Sequence, residues 1–437
     1  MKKVAVVNLG CPKNQVDSEV ITGLLAKKYK IVSEPEEANI IIVNTCGFIE
    51  EAKQESIEVI LEMTSLKGRT CEKVYAVGCL AQRYSRELLE EIPELDGVLG
   101  DGDLDKIPSV LETTSKVHSL KKCQDFIYSH EMPRIRFGPP YFAYVKIAEG
   151  CNNRCSYCAI PSIKGRYRSR TIPSVVEEVK KLAREGVKEI ALVAQDTTRY
   201  GIDLGEGTNL VLLLKELVKV EGLAWIRLMY CYPDAFTSDL IELIAQEPKI
   251  CKYVDLPLQH ADNEILKKMN RRNTSEEAED LIKRLRREIP GIFIRSTFIT
   301  GFPGETETQF QKLVDFIKNN KLDRLGVFAY SREEGTPAAE FTCQIPSAVR
   351  EQRKKTLLDR QYEVALETQQ KRVGSVVRVI LEEKIADFYW LGRTEGDAPE
   401  IDGQIYTRVH RQHVPGDILR VRILEADSYD FKGEGLQ

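Results

Sequence analysis

The chain has 437 residues, more than one hydrophobic core usually serves, so its length predicts about three domains. With 42% hydrophobic and 30% charged residues and a net charge of −4, it is neither disordered nor collagen-like, and no overall charge draws it to nucleic acid. Its apolar runs are too short to span a membrane, so we expect a cytoplasmic protein, without a membrane or DNA partner, whose 11 cysteines serve metal ligation or thiol chemistry.

The first third of the chain alternates short β-rich runs with amphipathic stretches. The pattern predicts strands at 4–9, 40–43 and 74–77, and helices at 17–29, 50–66 and 83–91. This alternation is typical of a doubly wound parallel sheet in the α/β class. The segment 131–140, EMPRIRFGPP, contains three prolines and predicts a linker after a first domain at 1–130.

The middle of the chain, 141–371, contains six further strand-helix units. The strands are predicted at 142–147, 188–194, 225–230, 252–256, 292–299 and 325–330, and the helices at 174–185, 208–220, 237–246, 274–289 and 306–319. Six such units favour a (β/α)6 partial barrel, although periodicity alone also allows a full one. The charged stretch 347–371 predicts an exit helix with a solvated face.

The last segment, 372–437, changes to short strands separated by glycine and proline turns. Strands are predicted at 376–381, 405–409 and 419–424. This pattern is typical of a small antiparallel β-barrel.

Three cysteines lie in the sequence EGCNNRCSYCAIP, directly after the first strand of the middle domain. Cys151, Cys155 and Cys158 have a C-x3-C-x2-C spacing, and three such thiolates can hold three corners of a cubane iron-sulfur cluster. Since no fourth cysteine is near in sequence, one iron would be left open. Zinc is the alternative, but it needs a fourth ligand, and His130 stands 21 residues upstream of Cys151.

A second set of three cysteines recurs at one topological position. Cys11, Cys46 and Cys79 each follow the end of a predicted strand, and the carboxyl ends of neighbouring parallel strands meet at one edge of a sheet. The pattern predicts a second three-cysteine cluster; the alternative is three small buried apolar residues. The other five show no ligand spacing and are interpreted as structural: Cys71, Cys123, Cys231, Cys251 and Cys343.

The C-x3-C-x2-C spacing with six strand-helix units resembles the radical S-adenosylmethionine superfamily. The resemblance implies that the open iron binds the amino and carboxylate groups of S-adenosylmethionine, which the cluster then cleaves reductively to a radical. It also implies that Tyr157 packs near the adenine, while plain loop packing is the alternative for this residue.

Further motifs extend the resemblance across the chain to the methylthiotransferase family. These motifs are GCPKN, NTCGFIEEAKQES, VGCLAQRY, LVAQDTTRYG, DLPLQHADNEILKKMNR and GFPGETE. The family joins an N-terminal α/β domain, a radical S-adenosylmethionine core and a C-terminal TRAM barrel. Membership implies two 4Fe-4S clusters and two S-adenosylmethionine molecules per turnover, one giving a methyl group to a cluster-bound sulfur and one giving the radical that opens a C–H bond.

Two observations bear on the substrate within this family. Pro12 and Lys13 stand where tRNA-modifying members typically have Gln and Met, and the terminal barrel carries a net charge of −3. A barrel that tracks RNA would usually be basic. Both observations favour a resemblance to the branch of the family that modifies a ribosomal protein over the branch that modifies tRNA. This resemblance implies methylthiolation of an aspartate β-carbon in the twelfth protein of the small ribosomal subunit, with a reduced electron donor and a sulfur donor. The alternatives are a tRNA adenosine methylthiotransferase of the MiaB type and a redox or assembly protein without turnover.

Several other residues are candidates for contacts to cofactor or substrate. Gly301 and Gly304 in GFPGETE would let backbone approach S-adenosylmethionine, or simply form a tight turn. Gln195 and Asp196, at a strand end, are expected to bind cofactor or substrate, with a structural cap as the alternative. His260, after a strand end, could orient a ligand, and its alternative is a hydrogen-bonded histidine in the core. The last candidates are four alternating basic residues that could bind a carboxylate or RNA, with a solvated surface stripe as the alternative: Lys164, Arg166, Arg168 and Arg170.

Overall fold

The computed structural model describes residues 1–113, 115–119, 126–205 and 207–436. Cys123, interpreted above as structural, lies outside these residues. Among the described residues, no helix has both the length and the apolarity needed to cross a bilayer. Three units follow one another along the chain: a parallel sheet, a second parallel sheet and a closed barrel.

The first unit is a six-stranded parallel sheet with helices on both faces. Its strands are β1 (Lys3–Asn8), β2 (Lys30–Ile31), β3 (Ile40–Thr45), β4 (Lys73–Gly78), β5 (Gly97–Leu99) and β6 (Val117–Ser119), in the order β2-β1-β3-β4-β5-β6. Its helices are α1 (Pro12–Leu25), α2 (Glu50–Ser65), α3 (Cys79–Arg83), α4 (Ser85–Glu91) and α5 (Ile107–Val110). One core joins α2 and α4 to one face and a second joins α1 and α5 to the other, so the doubly wound prediction is confirmed.

The predicted linker is bound tightly to both neighbouring domains. Arg134 forms ion pairs with Glu19 at 2.5 Å and Glu178 at 2.6 Å, and Ile135 donates its backbone N–H to the Glu19 carbonyl. Burial opposes the charge of Arg134, but the attraction of the two carboxylates outweighs it and raises the pKa of this guanidinium. The segment therefore fixes the first domain against the second.

The second unit is an open parallel sheet of six strands, wound with helices. Its strands are β7 (Phe142–Lys146), β10 (Glu189–Val193), β11 (Trp225–Leu228), β12 (Ile250–Gln259), β13 (Phe293–Thr300) and β14 (Arg324–Ala329), while β8 (Ala148–Glu149) and β9 (Arg168–Ser169) form a separate small ribbon. Its helices are α6 (Ile160–Lys164), α7 (Ile172–Arg184), α8 (Leu210–Leu217), α9 (Ser238–Gln246), α10 (Asn263–Lys268), α11 (Ser275–Glu288), α12 (Glu307–Asn320) and α13 (Ser347–Gln370). The order runs β14-β13-β12-β11-β10-β7, so the six-unit partial barrel is confirmed.

The exit helix α13 differs from the solvated face that its charge pattern predicts. Arg353 is only 8% exposed and donates to Glu305 at 2.6 Å, and Gln361 is fully buried and donates to the Leu322 carbonyl. The expectation is wrong for this face because the partners come from α12 and its flanking loops, which a local charge pattern cannot reveal.

The third unit is a closed five-stranded barrel that docks on the middle domain. Its strands are β15 (Val376–Ala386), β16 (Tyr389–Thr394), β17 (Ile405–Arg408), β18 (Ile418–Ala426) and β19 (Phe431–Gly435). All pairings are antiparallel except β17 with β19, which is parallel. The barrel sits where the strands of the middle sheet begin, so Gly396 lies against Phe293 and Gly416 against Tyr141.

Buried ion pairs hold this barrel in place. Glu189, at the start of β10, accepts from Arg227 at 2.8 Å and from Arg393 of the barrel at 2.7 Å. Asp397 pairs with Arg324 at 2.6 Å, and Asp402 with Arg295 at 3.3 Å. Two of the barrel's acidic residues are thus neutralised by the middle domain rather than turned to solvent.

Candidate functional site

The first cysteine triad gathers at the carboxyl edge of the N-terminal sheet. Cys11 joins β1 to α1, Cys46 follows β3 and Cys79 begins α3 directly after β4. Because β1, β3 and β4 are neighbours in parallel register, all three turns leave the sheet on the same side. The structure thus brings together three cysteines that lie far apart in sequence.

Asn14 and Gly10 set the spacing within this triad. The Asn14 side-chain oxygen lies 3.9 Å from the Cys11 Sγ and 3.8 Å from the Cys79 Sγ, while its amide donates to the Leu9 and Thr45 carbonyls. Gly10 has φ +88°, and a Cβ there would lie 3.1 Å from the Cys46 Sγ. Both residues stand in the GCPKN motif, so local sequence carried the signal for them.

The three thiols suit a metal cluster that takes them as thiolates. Burial raises the pKa of Cys79 well above its usual value; burial, and then the adjacent Cys11, raise that of Cys46. A bound cation reverses this, because it stabilises the deprotonated ligands. Within the described part of the chain, no group of three His, Cys, Asp or Glu side chains is close enough together to hold a single metal ion. A cubane does not require that, because it binds each thiolate at a separate iron.

The second triad lies in the loop between β8 and α6. The backbone N–H of Cys151 donates to the Gly165 carbonyl and that of Cys158 to the Cys155 carbonyl, each at 3.1 Å. Gly150 has φ +79° and packs on the Arg166 carbonyl, where a Cβ would overlap. Burial raises the pKa of Cys151 to about 11 and also raises that of Cys158, so these thiols too gain from a bound cluster.

Arg271 adds a cation to the second triad. Its Nη1 lies 3.9 Å from the Cys155 Sγ, its guanidinium stacks 3.9 Å from the Tyr232 ring centroid, and its Nη2 donates to the Pro257 carbonyl at 2.8 Å. A guanidinium so placed favours negative charge on the thiolates. The residue stands 116 positions after Cys155, and no local spacing links the two.

The first triad contacts the helix that follows the second triad. Cys79 packs against Ala159 and Ile163 in one buried cluster, and Ala159 is the residue directly after Cys158. Helix α6 is therefore shared: its start follows the second triad and its side contacts the first. The first and second domains are thus in contact beside both triads.

A buried ion network crosses the same interface. Lys146 pairs with Asp17 and, at 2.5 Å, with Glu149, while Lys164 pairs with Asp101 at 3.0 Å. Asp17 and Asp101 belong to the first domain and the other three to the second. Burial opposes the charge of Lys164, but Asp101, Cys79 and Glu149 outweigh it and raise its pKa. Sequence reasoning singled out Lys164 and missed the other four residues of this network.

Gln195 and Asp196, the predicted strand-end candidates, both lie beside the second triad. Gln195 donates to Glu149 at 2.6 Å, and its own side-chain oxygen is buried without a donor among the described residues. Asp196 accepts from Asn153 and Thr198, each at 2.7 Å, and burial raises its pKa. The orphaned oxygen of Gln195 fits a group with an N–H to offer, such as the amino group of S-adenosylmethionine.

Tyr157 and the two glycines of GFPGETE lie in and beside a small apolar cluster of the second domain. Tyr157 packs on the apolar cluster that contains Met269 and Phe302. Gly301 has φ +71°, donates to Glu305 at 3.0 Å and lies against Arg350, and Gly304 donates to the Cys343 carbonyl at 2.7 Å. These contacts form a tight turn beneath α13, the alternative that the sequence left open for GFPGETE.

The remaining candidates are divided between the interior and a cleft. His260 is 2% exposed; its Nδ1 accepts from the Asp262 backbone N–H, which leaves its Nε2–H to donate to Glu305 at 3.2 Å. Arg168 donates to the Arg166 carbonyl at 2.7 Å. Arg166 is exposed and lines a cleft of ≈ 370 Å³ beside Cys151.

The alternating basic residues of KGRYRSR do not form one solvated stripe. Lys164 and Arg170 are each 2% exposed, and Arg170 is paired with Glu178. Only Arg166 of the four is exposed. The alternative of a solvated stripe is wrong because it requires an extended segment, whereas Lys164 is the last residue of helix α6.

Three family models match successive parts of the chain. The Radical SAM superfamily model covers residues 145–317, that of the Uncharacterized protein family UPF0004 covers 3–100, and the TRAM domain model covers 373–435. Each falls on one of the three folded units.

Curated relatives match over the full length. The chain is 54% identical to the "Ribosomal protein uS12 methylthiotransferase RimO" of Desulfitobacterium hafniense (strain Y51), over 100% of this chain and 99% of the relative. It is 47% identical to the protein of the same name from Clostridioides difficile (strain 630), with the same coverage.

Solved structures share the fold at lower identity. The radical S-adenosylmethionine methyltransferase TsrM from Kitasatospora setae, with cobalamin and a 4Fe-4S cluster bound, aligns with a TM-score of 0.57 at 19% identity, over 77% of each chain. The cobalamin-dependent S-adenosylmethionine radical enzyme OxsB, with aqua-cobalamin and S-adenosylmethionine bound, aligns at 0.52 and 13% identity, over 83% of this chain and 56% of the other. At such identities the likeness concerns the fold alone.

Proposed function

This chain belongs to the RimO family of radical S-adenosylmethionine methylthiotransferases, and we propose that its two cysteine triads hold the two 4Fe-4S clusters of that reaction. Cys11, Cys46 and Cys79 would hold one cluster, and the C-x3-C-x2-C loop the other. The observation that carries the proposal is the contact of Cys79 in the first triad with Ala159, the residue directly after Cys158 of the second.

The chain's own residues bind and orient. When bound, the clusters and S-adenosylmethionine supply a sulfur attachment point, a methyl group and a radical able to open a C–H bond that no side-chain base removes at neutral pH. Gln195 would accept a hydrogen bond from the cofactor through its orphaned oxygen, and Arg271 balances the charge of Cys155. The network of Lys146, Lys164 and their carboxylates keeps the two triads at a fixed separation.

The substrate is ribosomal protein uS12, which the names of the curated relatives give for those proteins. We infer that an aspartate of that protein receives the methylthio group at its β-carbon. A reduced electron donor and a sulfur donor are the further partners, and the cytoplasm, where ribosomes work, is the site of action. The GCPKN motif supports this choice, because Pro12 and Lys13 stand where tRNA-modifying members of the family typically have Gln and Met.

Anaerobic reconstitution tests the division of labour between the triads. The enzyme is loaded with iron and sulfide and incubated with S-adenosylmethionine, dithionite and the ribosomal protein, beside a Cys46→Ala and a Cys155→Ala variant. We expect Cys155→Ala to lose 5′-deoxyadenosine formation, while Cys46→Ala keeps it and yields no methylthiolated protein. Methylthiolated product from Cys46→Ala would refute the role of the first triad.

A further inference from the structure

Lys13 is a buried ammonium group beside the first triad. It is the second residue of α1, it follows Cys11 by two positions, and it is 9% exposed. Its Nζ lies 3.7 Å from the ring centroid of Tyr230, which comes from the second domain. Burying an ammonium group is unfavourable unless an anion accompanies it.

Among the described residues, Lys13 has no carboxylate within ion-pair distance, as Arg271 at the second triad has none. Lys146 and Lys164 both pair with carboxylates, and Arg295 pairs with Asp255 and Asp402. The Nζ of Lys13 lies over the Tyr230 ring; Cys11 and Glu149 also attract this ammonium group, and Lys164 repels it. The position therefore offers an ammonium group that faces the first triad and pairs directly with no carboxylate of the described residues.

Both domains contribute to this position. Tyr230 follows β11 at the carboxyl edge of the second sheet and has φ +57°, a strained conformation for a tyrosine. Its backbone N–H donates to the Asp255 side chain at 3.0 Å, which holds the backbone at this position. A ligand anion at Lys13 would thus lie between the first triad and the mouth of the partial barrel.

We propose that Lys13 binds the side-chain carboxylate of the substrate aspartate. This inference rests on the proposed function. The reacting β-carbon of an aspartate is bonded directly to its carboxylate carbon, so an ammonium that holds the carboxylate also fixes the C–H bond to be opened. A nucleobase has no carboxylate, so the same contact would select protein over tRNA.

Peptide binding tests the inference apart from turnover. We would measure, by anaerobic calorimetry, the affinity of the reconstituted enzyme for a uS12 loop peptide with the target Asp and for the same peptide with Asn. The variants are Lys13→Met, which keeps the apolar stem, Lys13→Arg, which keeps the charge, and Lys27→Met as a control at an exposed lysine beyond α1. Iron content and affinity for S-adenosylmethionine are measured on every variant.

We expect Lys13→Met to bind the Asp peptide about 10- to 100-fold more weakly than the unmodified enzyme, the range for a lost hydrogen bond to a charged group. The affinity for the Asn peptide should be the same in Lys13→Met as in the unmodified enzyme. Lys13→Arg should recover part of the affinity for the Asp peptide, and Lys27→Met should match the unmodified enzyme. Equal discrimination between Asp and Asn peptides in Lys13→Met would overturn the inference.

Two further results would also overturn it. Loss of about four irons in Lys13→Met would mean that the ammonium serves the cluster alone, and weaker S-adenosylmethionine binding would mean that it holds the cofactor's carboxylate. If the unmodified enzyme leaves the ribosomal protein unmodified, the proposed function fails instead.

Discussion

Gly10→Ala should destroy the first cluster without removing any of its ligands. A Cβ at residue 10 would stand 2.7 Å from the Cys46 Cβ and 3.1 Å from its Sγ, whereas ordinary contacts begin at 3.4 Å. Cys46 would therefore have to retreat by about 0.7 Å, well beyond the tolerance of about 0.2 Å for a metal-ligand distance. The left-handed φ of +88° adds about 1 kcal/mol or more of backbone strain.

Iron analysis after anaerobic reconstitution measures the effect. Two four-iron clusters give about eight irons per chain, and Gly10→Ala should retain about four, those of the second triad. Formation of 5′-deoxyadenosine should persist, while methylthiolated product disappears.

Gly68→Ala is the matched control. Gly68 also has a left-handed φ, +83°, but a Cβ there meets nothing within 4 Å, so the control carries the backbone strain without the contact. It should retain about eight irons. A Gly10→Ala enzyme with all its iron and normal product would refute the placement of the first cluster.

Three other perturbations test separate parts of the molecule. Cys158→Ala should lose about four irons and all 5′-deoxyadenosine formation, as measured by iron assay and chromatography. Glu189→Gln removes the ion pair with Arg393 of the barrel, which keeps Glu382, and leaves the buried Arg227 without its carboxylate partner. It should weaken barrel docking by about 3 kcal/mol, followed by the fluorescence of Trp225 during urea unfolding. Burial opposes the charge of Glu189, but Arg393 and Arg227 outweigh it and lower the pKa of this carboxyl below 4.5. The docking of the barrel should therefore be full above pH 4.5 and weaken as the pH falls further, because Glu189 becomes protonated. Unchanged docking at pH 3 would contradict this. Glu333→Gln removes the 2.6 Å ion pair with Arg83, the last residue of α3, and so loosens a contact between the second domain and the first. Amide hydrogen exchange at α3 should become faster, and unchanged exchange would contradict that role.

The fold was predictable where the local pattern is strong. All the long parallel strands stand close to their predicted positions, since runs such as 40–43 are apolar throughout. The strands β2, β5 and β6 were missed because two or three residues are too few for a periodic signal. The helix predicted at 17–29 begins at Pro12, since a proline suits a first helical turn.

The site was predictable only for residues that share a motif. The six cysteines could be found from spacing and topology, whereas Arg271, Asp17 and Asp101 could not, because their partners are distant in sequence. Lys164 shows the limit well: an alternation of basic residues suggested a solvated or ligand-binding stripe, while folding buries it against Asp101. Local patterns report which face is charged but not what covers it.

The most direct test of the account is a competition between the two candidate substrates. The reconstituted enzyme, with S-adenosylmethionine and dithionite, is given ribosomal protein uS12 and tRNA together, and both are analysed by mass spectrometry. We predict a methylthio group on the β-carbon of one uS12 aspartate and unmodified tRNA. Methylthiolated tRNA with untouched uS12 would contradict the account.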